Sequence, residues 1–322
     1  MFTLEEIITP IKTLWNFDYD PHVKALRDLY ELAKKQQWNA ATDIPWHIET
    51  DPTRIGSILV GGSDPLADLE VINALPDDKK IELAKRRSAW MLSQLLHGEQ
   101  GAMLCAAQLV EAVPDMDGKF YASTQVIDEA RHVEVFAQYI KRLDRVYPMM
   151  PGLKALLNAV LEADMWQMKC VGMQVIAESL ALGTFKNIKE TTGDEVLREI
   201  TTLTGQDEAR HVSYGLIYMT EELTRMPEDE RNTIEDFAIA GLKLLTPNQA
   251  QGAGPMFEIF SDVGIDIEDL RREMQEKFAD PAARPPQPST FRDFLAPNLQ
   301  RIGLITERTV DQYRELGLEI EV

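Results

Sequence analysis

Apolar residues recur at helical spacing along most of this chain. Between Asp77 and Thr224 the pattern predicts four long helical segments: about Asp77 to Val113, Lys119 to Val146, Pro151 to Lys189, and Asp194 to Thr224. Breakers punctuate them. Pro148 and Pro151 follow the second, Thr191-Thr192-Gly193 the third, and Pro227 the fourth. Short connections between long helices make sequential neighbours antiparallel. Ahead of them, residues 1–16 predict a short helix interrupted by Pro10. Residues 21–38 predict a better one, with Val23, Leu26, Leu29, Leu32 and Ala33 on one stripe. Residues 39–76 are rich in Asp, Pro, Gly and Ser and read as loop, with one short helix around Pro65–Leu75. Behind the four segments come helices at about Asp229–Leu245 and Ala253–Phe278, then a proline-rich loop or tether at Asp280–Ser289. The tail, Thr290–Val322, predicts one or two short helices. No period-2 strand pattern of any length occurs, so the class is all-α. The expected organisation is N-terminal helices and loop over 1–76, a four-helix core over 77–225, and C-terminal helices over 226–322 packing on that core, as one structural domain.

Each long segment carries one member of a repeated constellation. Residues Asp128–Val133 read DEARHV, and residues Asp207–Val212 read DEARHV again. Within each copy a Glu and a His stand at i and i+3, on one helix face one turn apart. Glu99 precedes Glu129 by 30 residues, and Glu178 precedes Glu208 by 30. Glu208 follows Glu129 by 79 residues, and Glu178 follows Glu99 by 79, so two helix pairs related by a pseudo-twofold axis are expected. Two units do not make a solenoid.

A lone Glu-x-x-His on a helix is ordinarily a solvated Glu beside a satisfied His. The doubling changes that. Glu99, Glu129, Glu178 and Glu208 all sit mid-helix among apolar neighbours. Four carboxylates converging in a core without cations would repel and desolvate at great cost. Two divalent cations reverse the sign, and His132 and His211 complete the set. One Glu from each of two helices plus Glu-x-x-His from each of the other two is the ligand list of dimetal carboxylate bundles. Oxygen and imidazole donors suit iron or manganese better than thiolate-loving metals. A metal-bound His donates its second N–H to a carboxylate or carbonyl, and Asp128 and Asp207 are the natural partners. Arg131 and Arg210 are placed to pair with those aspartates. Met103, Phe136, Met173 and Gln174 lie near the glutamates and histidines by helical spacing and are candidates for a pocket wall. His97 is expected to point elsewhere, and Cys105 and Cys170 to pack in the core.

Composition narrows the partners. Against 33 Lys and Arg stand 53 Asp and Glu, a formal charge of −20, which disfavours nucleic-acid phosphates and anionic membranes. Two cysteines make no disulfide framework and suit a reducing cytoplasm. The N-terminus lacks the basic-then-apolar pattern of a secretory signal, and no apolar run is long enough to span a bilayer.

The order Glu, DEARHV, Glu, DEARHV over residues 85–220 resembles the ferritin-like superfamily in its ribonucleotide-reductase-like branch. The Asp and Arg inside both copies look most like the multicomponent monooxygenases and the ligand-binding oxidases. The resemblance implies a ferritin-like four-helix bundle with additional N- and C-terminal helices. It implies Glu99, Glu129 and His132 on one metal and Glu178, Glu208 and His211 on the other, with some glutamates bridging. The cofactor it implies is two iron ions, or a manganese/iron pair. The activity it implies is O₂ activation to hydroxylate or oxidise an apolar or aromatic small molecule, with a reductant or electron-donor protein as partner and a homodimer as the default assembly. Three other readings follow from the same resemblance: a ligand-binding oxidase with a Mn/Fe centre, a radical-generating reductase small subunit, and an iron-binding ferritin-like protein without oxygenase activity. Reductase subunits typically carry a radical-forming Tyr four residues after the first His. Phe136 stands there and counts against that reading.

Overall fold

The computed structural model describes residues 4–55, 66–245, 254–280, 290–318 and 320. Every regular element among them is helical, and no strand occurs among the described residues. Helix α1 is Lys24–Lys35, α2 Glu70–Asn73, α3 Asp77–Ala112, α4 Met116–Leu143 and α5 Pro151–Glu162. Helix α6, Trp166–Cys170, runs into a π-helical turn, Val171–Ala177, and then into α7, Glu178–Thr191. There follow α8 Glu195–Arg225, α9 Glu228–Leu245, α10 Gly254–Asp262 and α11 Ile267–Ala279. A second π turn at Phe291–Leu295 leads into α12 Ala296–Arg301, and α13 is Val310–Glu315.

Helices α3 and α4 form one antiparallel hairpin, and the α6–π–α7 rod with α8 forms the other. The two face each other across α4 and α8. The connections are tight and capped alike. Asp115 accepts a hydrogen bond from Gly118 N at 2.7 Å, and Asp194 accepts one from Leu197 N at 2.8 Å. Such a side chain satisfies an N–H that the first helical turn leaves orphaned. Asp194 follows Asp115 by 79 residues, so the internal symmetry of the motifs extends to the caps. Apolar residues from both hairpins, including Tyr121, Val175 and Met219, fill the interface.

Helix α1 lies across α4 and α8 on one side of the bundle. Asp117 moors it, accepting hydrogen bonds from His22 N and Val23 N at 2.8 Å each and from Arg27 Nε at 2.7 Å. Helices α5 and α9 cover the opposite side.

Three expectations need correction. Residues 4–23 form no helix. The segment is pinned to the end of α3 and the turn after it instead, with Leu14 N donating to Glu111 O at 2.8 Å and Asn16 Nδ2 to Pro114 O at 2.9 Å. The third long helix is broken at 163–165. There Lys169, fully buried, donates through Nζ to the carbonyls of Val160 and Leu161 at 3.1 and 2.7 Å and so ends α5. The helix expected at 253–278 is two, α10 and α11, separated at Gly264, whose φ of +95° only glycine adopts cheaply. Pro65, Ala253 and residues 281–289 of the proline-rich stretch lie outside the described residues.

Candidate metal centre

The two DEARHV copies lie mid-way along α4 and α8 and face each other. Glu99 comes from α3, and Glu178 from the first turn of α7 beyond the π turn. Glu99 and Glu178 are 4 % and 3 % exposed, and Glu129, His132, Glu208 and His211 are fully buried. Each imidazole turns Nδ1 into the cluster. His132 Nδ1 lies 3.2 Å from Glu99 Oε2, 3.1 Å from Glu129 Oε2 and 3.1 Å from Glu208 Oε1. His211 Nδ1 lies 3.0 Å from Glu208 Oε2, 3.1 Å from Glu129 Oε1 and 3.9 Å from Glu178 Oε1. Two overlapping groups result: Glu99, Glu129, His132 and Glu208, and Glu129, Glu178, Glu208 and His211. Within each, one donor atom per residue lies within 4.8 Å of all the others. Glu129 and Glu208 belong to both.

This donor set fits a pair of divalent cations. Four carboxylates offset two M²⁺, and two imidazole nitrogens face the same space. Glu208 Oε1 is buried without a hydrogen bond although His132 Nδ1 stands 3.1 Å away, so it is an orphan that a cation satisfies.

The other face of each imidazole meets the opposite motif. His132 Nε2 is 3.1 Å from Asp207 Oδ2, and His211 Nε2 is 3.3 Å from Asp128 Oδ2. The aspartates are therefore exchanged between the two copies. Arg131 Nη2 donates to Asp128 at 2.6 Å and to Asp207 at 3.0 Å. Arg210 Nη2 donates to Asp207 and, at 3.2 Å, to Asp128. Two guanidiniums thus offset two buried carboxylates.

The segment just after α1 closes this layer with residues that sequence reasoning missed. Trp38 Nε1 donates to Asp207 Oδ2 at 2.7 Å, Gln37 Nε2 to Asp128 Oδ1 at 3.0 Å, and Arg210 Nη1 to Gln36 Oε1 at 2.8 Å. Arg131 also lies over the Trp38 ring, 4.9 Å from its centroid. Nothing in the local pattern of Gln36-Gln37-Trp38 signals contact with motifs about ninety and 170 residues away. Gln125 was also missed. Its Nε2 lies 3.0 Å from Glu129 Oε1 and 3.1 Å from Glu178 Oε1. Here a signal existed, since Gln125 stands one helical turn before Glu129.

Charge and burial set the proton affinities. Burial, then the nearby Glu208 charge, pushes the Glu99 and Glu178 carboxyls well above the usual carboxylate range. Burial acts the same way on Glu129 and Glu208, but His211 foremost, with His132, holds both below it. Burial disfavours both imidazolium ions. The surrounding carboxylates win, and His132 and His211 hold protons well above the usual histidine range.

On the side away from α1, a cavity of about 720 Å³ opens between α3, α5, the π turn and the end of α9. Glu99 and Glu178 line its floor, and Gly98, Leu157, Met173 and Ala177 are among its walls. Of the four residues expected at a pocket wall, Met173 lines this cavity. Met103, Phe136 and Gln174 do not line it. Phe136 is buried and stacks on Phe185 at 5.6 Å, and the Gln174 amide oxygen receives Gln125 Nε2 at 3.0 Å. Spacing along a helix gives the level of a side chain, and neighbouring helices decide the side. His97 turns away, its Nε2 on Tyr147 O at 2.8 Å. Cys105 and Cys170 are buried and free.

Residues 20–294 match the model of one protein family, described as P-aminobenzoate N-oxygenase AurF. The chain belongs to that family. It is a ferritin-like, O₂-dependent oxygenase or oxidase with a dinuclear non-haem metal cofactor. Among solved structures, it is similar to a protein from Synechococcus with aldehyde deformylating oxidase activity, at 15% identity over 74% of this chain and 98% of that one, with a TM-score of 0.47. It is also similar to an R2-like ligand-binding oxidase with a Mn/Fe cofactor, at 18% identity over 79% of this chain and 90% of that one, TM-score 0.43. A third similarity is to the R2-like ligand-binding oxidase from Sulfolobus acidocaldarius, at 17% identity over 77% and 90%, TM-score 0.45. No curated relative matches. No described helix is long and apolar enough to cross a membrane.

Proposed function

We propose that Glu99, Glu129, His132, Glu178, Glu208 and His211 hold two iron ions, with Glu129 and Glu208 shared between them, and that the centre oxidises an apolar, aromatic small molecule seated in the cavity above Glu99 and Glu178. The observation that supports this most is that the cavity's lining includes the two glutamates that stand outside the DEARHV copies. A substrate there is in contact with the cluster on the face opposite the Asp–Arg layer.

The bound metals supply reductive activation of O₂ for oxygen transfer to the substrate. The protein's residues do the rest. Asp207 and Asp128 fix the ring orientation of His132 and His211 and raise their basicity. Arg131 and Arg210 keep both aspartates ionised. Leu157, Met173 and Ala177 exclude water from the substrate's side of the cluster. The family is described by a p-aminobenzoate N-oxygenase, and this reading carries to the present chain an aryl amine as the first substrate class to try. It also carries an external one-electron donor, protein or small molecule, a homodimer as the assembly, and a cytoplasmic location, supported by two cysteines that are both free.

The test is turnover under ¹⁸O₂. Iron-loaded protein given a reductant and a panel of aryl amines and alkylbenzenes is expected to put one ¹⁸O into an amine nitrogen or a benzylic carbon. Reduction of O₂ to water with every substrate returned unchanged contradicts the oxygenase reading.

A further inference from the structure

The bundle is built twice, so each half is a control for the other. On the half of α8 beyond His211, Tyr214 and Tyr218 stand three and seven residues further on, in one stripe. On α4, Tyr121 stands eight residues before Glu129 and faces them. The rings are in contact: Tyr121 and Tyr214 stack with centroids 4.8 Å apart, and Tyr214 and Tyr218 lie 5.6 Å apart. Trp166, at the start of α6, lies 4.8 Å from Tyr218. The three tyrosines are buried and Trp166 is half-buried, so the series runs from beside His211 to the surface. Gly118 makes room for it, because a Cβ there would meet the Tyr218 ring at 2.8 Å.

Packing does not require these residues. The internal offset of 79 maps Tyr121 onto Ile200, Tyr214 onto Val135, Tyr218 onto Tyr139 and Trp166 onto Arg87. The same architecture is thus filled in the other half by two aliphatics, a single Tyr and an Arg. Nor do the Tyr121 and Tyr214 hydroxyls stabilise the core. Tyr121 Oη is buried with no hydrogen-bond partner, a cost that Phe would avoid. Tyr214 Oη reaches only Gly118 O, at 3.4 Å. Tyr218 alone has a carboxylate partner, donating to Asp115.

We propose that Tyr121, Tyr214, Tyr218 and Trp166 form a one-electron path between the dimetal centre and the surface, which drains oxidising equivalents when no substrate is present. This rests on the metal assignment above. In each event Tyr218 gives one electron to the oxidised centre through the rings of Tyr214 and Tyr121. Trp166, in contact with Tyr218, then refills it. Tyr121 and Tyr214, which have no proton acceptor beside Oη, carry the electron by tunnelling through their stacked rings and are not themselves oxidised. Tyr218 gives its phenolic proton to Asp115 while oxidised and takes it back on reduction. A soluble one-electron donor, such as ascorbate or a thiol, finally reduces Trp166.

The test uses full-length protein loaded anaerobically with Fe(II), with bound iron counted first, then mixed with O₂ without substrate and frozen for EPR. The wild type is expected to give a transient tyrosyl or tryptophanyl signal that ascorbate quenches. Trp166→Phe is expected to lengthen the signal's life several-fold and Tyr214→Leu, which removes the bridging ring, to abolish it at Tyr218. Tyr139→Phe, the control in the other half, is expected to match the wild type. Equal signals in all four proteins overturn the path, as does the absence of any radical from iron-loaded wild type. If the chain binds no iron, the metal assignment has failed separately. The path is then read by flash photo-oxidation of Trp166 with an external ruthenium sensitiser. Transfer to Tyr218 that is lost in Tyr218→Phe supports the path, and a tryptophanyl radical that decays identically in both proteins overturns it.

Discussion

Asp207 stands next to Glu208 in the chain, yet the imidazole it orients is His132 of the other motif, with Nε2 and Oδ2 3.1 Å apart. The reciprocal bond joins Asp128 to His211. Each copy of DEARHV therefore supports the opposite copy's histidine. Asp207→Asn should weaken the metal beside His132 about 10- to 100-fold, a usual loss when the partner of a ligating His is changed. The metal beside His211 should be affected less. Stepwise Fe(II) titration followed by Mössbauer spectroscopy checks this, and equal weakening of both sites would show that the exchange carries no site preference.

Gly98 borders the cavity, and a Cβ built on it meets nothing within 4 Å. Gly98→Ala should raise stability by about 0.5–1 kcal/mol, the cost of glycine inside a helix. Gly98→Leu should leave metal content unchanged and fill the floor beside Glu99. The expected outcome is a raised KM for bulky substrates with a smaller effect on small ones, measured beside thermal melting of both variants.

The protons held at Glu99, Glu178, His132 and His211 occupy the atoms that face the metals. Loading must release them, so iron uptake should acidify a weakly buffered solution. Apparent affinity should fall as pH drops from 8 to 6, because all four groups hold protons more firmly than usual. Calorimetry in buffers of different ionisation enthalpy reads the proton count, and pH-independent uptake would contradict this account of the cluster.

Asp117 ties α1 to the bundle. Burial would raise its carboxyl, but the Val23 and His22 N–H groups and Arg27 outweigh that and hold it below the usual range. A carboxyl lowered in the folded state stabilises above its unfolded pKa, about 3.9, and loses that contribution as pH falls through the folded value. Asp117→Ala should cost about 2–3 kcal/mol at pH 7, with the gap to wild type closing toward pH 2. Because Gln36-Gln37-Trp38 follow α1 directly, the variant should also loosen metal binding. Urea melts at pH 7 and pH 2.5 measure the first effect, and competition with a chelator the second.

The fold class and the ferritin-like bundle were legible because periodicity, breakers and a doubled motif agreed. Pro148, Pro227 and Thr191-Thr192-Gly193 lie close to observed helix ends. The gathering of six donors was legible because i, i+3 spacing and the offset of 79 are properties of the chain itself. What stayed hidden depends on how helices meet. The exchange of Asp128 and Asp207 needs the crossing of α4 and α8, and the role of Trp38 needs α1 laid over both. The break at 163–165 turns on Lys169 reaching back to the end of α5, and no breaker residue marks it. Phe136 fell on the wrong side because its neighbour Phe185 lies in the adjacent helix.

The most direct test is element-resolved metal content per chain, on protein expressed with iron and manganese both available, for the wild type and for Glu129→Ala, His211→Ala and His97→Ala. The account predicts about two metal ions in the wild type and in His97→Ala, as for dimetal carboxylate bundles generally. It predicts loss of at least one ion in Glu129→Ala and His211→Ala, and the Fe:Mn ratio identifies the metal pair. Both ions retained in the Glu129 and His211 variants, or no metal in wild type after anaerobic Fe(II) loading, would contradict it.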